Sequence, residues 1–202
     1  MRKISKQTVF KKIKPINKRD LPRNEEIVTI LQESDDQEKY FVILLTLTGR
    51  RSCDILRMVW KNVKMNKKGS FCVVLPFDKV HRNTLVSFEF RLQEWNLEYP
   101  IEDFKKWLKI GMNSKSGLVF PGFDNARKQK LSRHCKHFRI HSLRNRLAIQ
   151  MLINKVPSKM ILSKIGWESF SSLKHYTKVS ASFLSEFESY DEAVNFLLDE
   201  FA

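Results

Sequence analysis

The chain has 202 residues, 42% of them apolar, and a formal net charge of +15. That length suits one domain with a core large enough to fold unaided. Its longest mostly apolar run, Tyr40 to Leu47, is far short of the roughly 20 residues that span a bilayer. Met1 to Arg19 holds no apolar signal segment. The cysteines, Cys53, Cys72 and Cys135, are widely spaced and read as reduced thiols of an intracellular protein. A secreted disulfide scaffold, a membrane protein and a disordered tail are set aside on these grounds.

Residues 1–20 form a basic arm, with eight basic residues and no acid between Met1 and Arg19. Leu21-Pro22-Arg23-Asn24-Glu25-Glu26 has the form of a helix start. Pro22 suits the first turn, and the glutamates suit the positive end of the helix dipole. This helix should run to about Gln32, and Asp35-Asp36 should open the next. Tyr40 to Leu47 is apolar on nearly every side, which predicts a central buried helix stopping at Thr48-Gly49. Ile55, Leu56 and Val59 share a face at helical spacing, so a third helix is predicted over Ser52 to Trp60.

The period then changes. Phe71, Val73, Leu75 and Phe77 alternate, as do Thr84, Val86, Phe88 and Phe90, around the polar turn Val80-His81-Arg82-Asn83. This predicts an antiparallel hairpin. Lys67-Lys68-Gly69 should turn out of a preceding short strand. Ile101, Phe104, Trp107 and Leu108 return to helical spacing, and Ser114 to Asn125 reads as a loop. Helices follow over Ala126 to His137, His141 to Asn154, Ser158 to Ile165 and Ser171 to Lys178. The predicted fold is mainly α with a small three-stranded antiparallel sheet, one α+β domain over residues 21–180.

Residues 181–202 read as an acidic amphipathic helix. Phe183, Phe187, Tyr190, Val194, Leu197 and Phe201 recur at intervals of four and three, amid six acids and no base from Val179 onward. Such a stripe must be buried, on its own domain or on a neighbouring protomer. Docking on a neighbour would let the fold survive deletion of Ser182 to Ala202. Without the tail, 37 basic residues face 16 acidic ones, a charge of +21. A body so basic is expected to bind a polyanion, most simply nucleic acid. A solvated surface or attraction to an anionic membrane is the alternative.

Two arginines stand beside apolar stripes. Arg51 follows Thr48-Gly49-Arg50, and Arg144 lies one turn before Leu147, Ala148 and Met151. A guanidinium near a core needs an anionic partner or a dense set of acceptors. Taken singly, each could be structural, Arg51 by pairing with Asp54. Taken in order, Thr48-Gly49-Arg50-Arg51-Ser52-Cys53-Asp54, His141-Ser142-Leu143-Arg144, Ile165-Gly166-Trp167 and Tyr176-Thr177 resemble the tyrosine recombinase (phage integrase) family. The resemblance runs from about Pro22 to Lys178. It includes the nine-residue step from Trp167 to Tyr176.

The resemblance implies a role for each residue. Arg51 and Arg144 clamp the non-bridging oxygens of a scissile phosphate, a task suited to bidentate guanidinium bonds. Tyr176 is the nucleophile, forming a 3′-phosphotyrosine and freeing a 5′-hydroxyl. Its phenol, with an ordinary pKa near ~10, needs a cationic pocket or a base. His141 assists that proton transfer. Lys79 matches the general acid, with Lys67 and Lys68 as weaker matches. Asp54 matches the acidic position that orients Arg51. Trp167 stands where many members carry His; its indole N–H can donate to phosphate but cannot shuttle a proton, and core packing is its other reading.

The same resemblance implies double-stranded DNA as partner, a homo-oligomer forming a tetrameric synapse on that DNA, and no membrane, metal, ATP or other cofactor. Such a protein works wherever its DNA lies, in a nucleoid or a nucleus. A type IB topoisomerase-like relaxing enzyme shares this site, and a DNA-binding module that has lost catalysis is the alternative outside enzymes. The family usually carries an N-terminal helical domain, so the basic arm is either its minimal substitute or the chain is a catalytic fragment. His134, Cys135, His137 and His141 have metal-like spacing, but Arg133, Lys136 and Arg139 alternate with them and would repel a dication. The segment reads instead as a basic, DNA-facing helix.

Overall fold

The structure, a computed structural model, describes residues 21–75, 86–114, 116–134, 138–167 and 187–201. The first helix, α1 (Asn24–Glu33), starts two residues after Pro22 and is capped by the Glu26 carboxylate, which accepts the Arg23 N–H at 2.8 Å. Asp35 and Glu38 cap α2 (Asp36–Thr48) reciprocally, each carboxylate accepting the other's backbone N–H. From Phe41 to Thr48 every residue of α2 is buried. Its two threonine hydroxyls remain satisfied by donating to the carbonyls one turn back, Val42 and Leu44.

The third helix, α3 (Ser52–Leu56), ends short of the predicted Trp60. The reason is a distant strand partner. Trp60 N–H donates to the Gly117 carbonyl, Val119 N–H donates to the Met58 carbonyl, and Val59 bridges Leu118. A 3₁₀ turn (Trp60–Asn62) then leads into β1 (Val63–Met65), β2 (Phe71–Leu75) and β3 (Val86–Phe90), an antiparallel sheet in that order. The register sets Val73 opposite both Val63 and Phe88, and Phe71 opposite Phe90, whose rings stack at 5.1 Å. These inward residues pack on α2, as the period-two pattern requires.

The remaining elements are α4 (Glu102–Ser114), α5 (Asn125–His134), α6 (Ser142–Ile153), α7 (Ser158–Ile165) and α8 (Tyr190–Phe201). The predicted helix over Ser171 to Lys178, the hairpin tip and Phe183 lie outside the described residues. Two apolar clusters result. One surrounds α2 with the sheet and α4; the other joins α6, α7 and α8 to Leu21. Of the C-terminal helix, Tyr190, Ala193 and Val194 are buried on its own chain. Tyr190 also donates its hydroxyl to the Pro22 carbonyl at 2.9 Å. No helix among the described residues is long and apolar enough to cross a membrane.

Candidate active site

The site is organised by the turn that ends α2. Gly49 adopts the left-handed conformation (φ +58°), and its N–H returns to the Leu45 carbonyl. A methyl group on it would stand 2.9 Å from Leu147 Cδ2 and 3.2 Å from Ile165 Cγ1. Leu147 lies three residues after Arg144, and Ile165 two residues before Trp167. The bare Gly49 backbone thus lets the Thr48–Asp54 segment, the start of α6 and the end of α7 meet, although the chain separates them widely.

Arg51 is exposed at the N-cap of α3, its carbonyl accepting the N–H groups of Asp54 and Ile55. The buried Asp54 carboxylate accepts from Arg57 Nη2 at 2.7 Å, one helical step on. Its link to Arg51 runs through the backbone. His141 is exposed immediately before α6. Arg144 is only 2% exposed, and its guanidinium carbon lies 5.6 Å from the centre of the Trp167 ring. Trp167 packs in the core and flanks Arg144 with its ring. Lys79, Tyr176, His81, His175, Cys135 and His137 lie outside the described residues. Lys67 and Lys68 are exposed in the turn between β1 and β2.

Two buried arginines escaped the sequence reading. Arg50, 7% exposed, donates from Nη2 to the Ser163 carbonyl on α7 at 3.1 Å and to the Ser87 carbonyl on β3 at 3.4 Å. Its guanidinium lies 5.2 Å from the Phe88 ring centre and against Gly166, where a methyl would overlap Nη1. Burial lowers its pKa; the Asp54 charge opposes the shift and Arg51 reinforces it. Arg146, 1% exposed, donates to Asn24 Oδ1 at 2.8 Å and to Asn96 Oδ1 at 3.2 Å, and lies over the Tyr190 ring. Asn24 in turn donates to Asp191 at 2.9 Å, which fastens α8 to α1 and α6. Only the rule that a buried guanidinium needs acceptors could have flagged either residue.

The basic helix α5 is anchored by one face. Lys130 donates to both oxygens of the buried Glu38, at 3.0 and 2.9 Å. Arg127 reaches Gln37 and Asp35, and His134 Nδ1 meets Glu33 Oε2 at 3.1 Å. Because residues 138–140 are not helical, His134 and His141 do not lie on one continuous helix. Lys128, Gln129, Ser132 and Arg133 line an open hollow on α5 with Ile140, close in sequence to His141.

A sequence profile of the phage integrase family matches residues 22–182. The chain belongs to that family. Its fold is similar to crystal structures of the XerH site-specific recombinase. One, a post-cleavage complex with a palindromic difH substrate, aligns over 86% of this chain and 52% of its own, with TM-score 0.59 and 16% identity. Another, a pre-cleavage complex with difH, aligns over 83% and 53%, with TM-score 0.57 and 15% identity. The chain thus spans about half the length of those recombinase chains. A search of curated proteins finds no match.

Proposed function

We propose that this chain is the catalytic unit of a site-specific DNA recombinase that cleaves and rejoins strands through a 3′-phosphotyrosine. The observation that carries the reading is the meeting of three motif segments at Gly49, which sets the Arg51 segment beside α6 and α7. Family membership and the surplus of basic residues support it.

In this reading Arg51 and Arg144 hold the non-bridging oxygens of the scissile phosphate. The Tyr176 hydroxyl oxygen attacks phosphorus, the bond to the 5′-oxygen breaks, and Lys79 gives that oxygen its proton. His141 assists removal of the phenolic proton. Negative charge grows on the phosphoryl oxygens in the transition state, so fixed guanidinium donors act most strongly there. Trp167 keeps Arg144 in place by covering its face and offers an indole N–H to phosphate. The covalent bond retains the energy of the phosphodiester, so the 5′-hydroxyl rejoins by reversal. The DNA partner is duplex, and a homo-oligomer on paired sites exchanges its strands.

The test is covalent capture. Full-length protein is incubated with nicked duplexes of randomised sequence, from which a short cleaved end can diffuse away. A denaturant-resistant protein–DNA adduct, absent in Tyr176→Phe, is expected. Retarded DNA with no adduct would instead mark a binding module.

A further inference from the structure

We propose that Arg50 is a positioning residue for this reaction, tying the Arg51 turn, the sheet and the Trp167 segment into one frame; the inference rests on the function proposed above. A single guanidinium reaches all three. Its backbone belongs to the turn that presents Arg51, and its N–H donates to the Thr48 hydroxyl at 3.2 Å. Nη2 is shared between the carbonyls of Ser87 on β3 and Ser163 on α7. Nη1 occupies the space that a side chain at Gly166 would take, one residue before Trp167.

The energetics of the site argue for such a role. Arg50 Nε is buried with no hydrogen-bond partner among the described residues, and no described carboxylate pairs with its guanidinium. Its acceptors are neutral carbonyls. A buried cation satisfied this way contributes little stability, and an apolar side chain of similar volume often serves a core as well or better. What an apolar side chain cannot do is hold two carbonyls from separate elements at fixed distances from one head group. The planar fork of arginine can. Phe88 beneath the guanidinium and the left-handed Gly166 beside it complete a socket shaped to that head group.

The arrangement also explains the division of labour in the Arg50-Arg51 pair. Arg51 is exposed at the N-cap of α3, whereas Arg50 is turned into the protein. Two identical side chains at adjacent positions thus act on opposite sides of one turn, one available to phosphate and one holding the frame.

The experiment uses the full chain and a duplex site recovered by covalent capture with the wild type. Three quantities are compared for wild type, Arg50→Met and Arg50→Lys: melting temperature, retention of unrelated duplex DNA across a salt series, and single-turnover adduct formation. Misplacement of reacting groups acts on rate more than on phosphate affinity. Arg50→Met should therefore lose about tenfold or more in adduct rate with DNA retention unchanged, and Arg50→Lys should fall between it and wild type. A purely structural role would move melting temperature and DNA retention together with rate, and that result overturns the proposal. So does an Arg50→Met rate within about twofold of wild type. If Arg50→Met does not fold, Arg50→Lys decides: a reduced rate at unchanged melting temperature supports the role, and a wild-type rate ends it. Absence of adduct in the wild type itself overturns the proposed function and this inference together, whereas adduct that is indifferent to Arg50 removes this inference alone.

Discussion

The guanidinium of Arg50 lies against the Cα of Gly166, so a buried cation at the end of α2 and a left-handed glycine at the end of α7 occupy one socket. Gly166 has φ +78°, a conformation that favours glycine, and any Cβ there meets Arg50 Nη1. Gly166→Ala should therefore cost about 2–4 kcal/mol, combining backbone strain with overpacking. Gly69, with φ +74° but open space around it, provides the comparison. Gly69→Ala should cost only about 1 kcal/mol, since strain acts there without collision. Chemical denaturation of both variants checks the difference.

The proposed leaving-group chemistry separates an acid from a phosphate contact. Lys79→Ala should slow cleavage of ordinary DNA by about 100-fold or more, in the range that general acids supply. Replacing the bridging 5′-oxygen by sulfur should remove most of that loss, because a thiolate leaves without a proton. Single-turnover rates on the two substrates settle the matter. Equal losses on both would take Lys79 out of the role.

Burial of Tyr190 gives the C-terminal helix a pH dependence. Desolvation, aided by the Asp191 and Glu26 charges and opposed by Arg146, raises its pKa above the ordinary tyrosine value. A group with a raised folded pKa keeps its proton in the folded state after the unfolded chain has lost it. Its contribution is thus complete below the ordinary pKa of about 10 and falls as pH rises past it. Melting temperatures between about pH 8 and pH 11 should decline more steeply for the wild type than for Tyr190→Phe, which cannot ionise.

Removal of residues from Ser182 onward tests where the acidic helix belongs. In the structure this truncation removes Tyr190, Ala193 and Val194 from the apolar cluster they share with α6, α7 and Leu21, and strips Arg146 of Tyr190 and Asp191. Each large apolar side chain left exposed costs about 1.5–3 kcal/mol, and an arginine left buried with fewer partners adds to that. The truncated chain should melt well below the full chain even without DNA. Unchanged melting would show that the helix is not held by its own domain in solution.

Elements governed by local chemistry were legible in the sequence. The Asp35 cap, the Gly49 stop and the alternation of Phe71, Val73 and Leu75 each act within a few residues, and each lies where the pattern placed it. What was not legible depends on partners far along the chain. Ser52 to Trp60 has helical spacing, yet the strand bridge from Val59 to Leu118 ends the helix at Leu56. Arg50 and Arg51 are chemically identical; only the Ser87 and Ser163 carbonyls, 37 and 113 residues away, determine which one is buried. Asp54 had two arginines within reach, and α3 presents it to Arg57.

The acidic seam under α5 changes how the chain's charge should be counted on DNA. Counterion release scales with the phosphates a protein neutralises, by about 0.9 in the logarithmic salt slope for each. Arg127 and Lys130 already face Asp35 and Glu38, and the His134 ring meets Glu33. On that helix Lys128 and Arg133, which have no carboxylate partner among the described residues, are the cations left to displace sodium or potassium from a duplex. A salt titration should therefore return fewer released ions than the net charge implies, and neutralising Arg133 should lower that number where neutralising Lys130 should not.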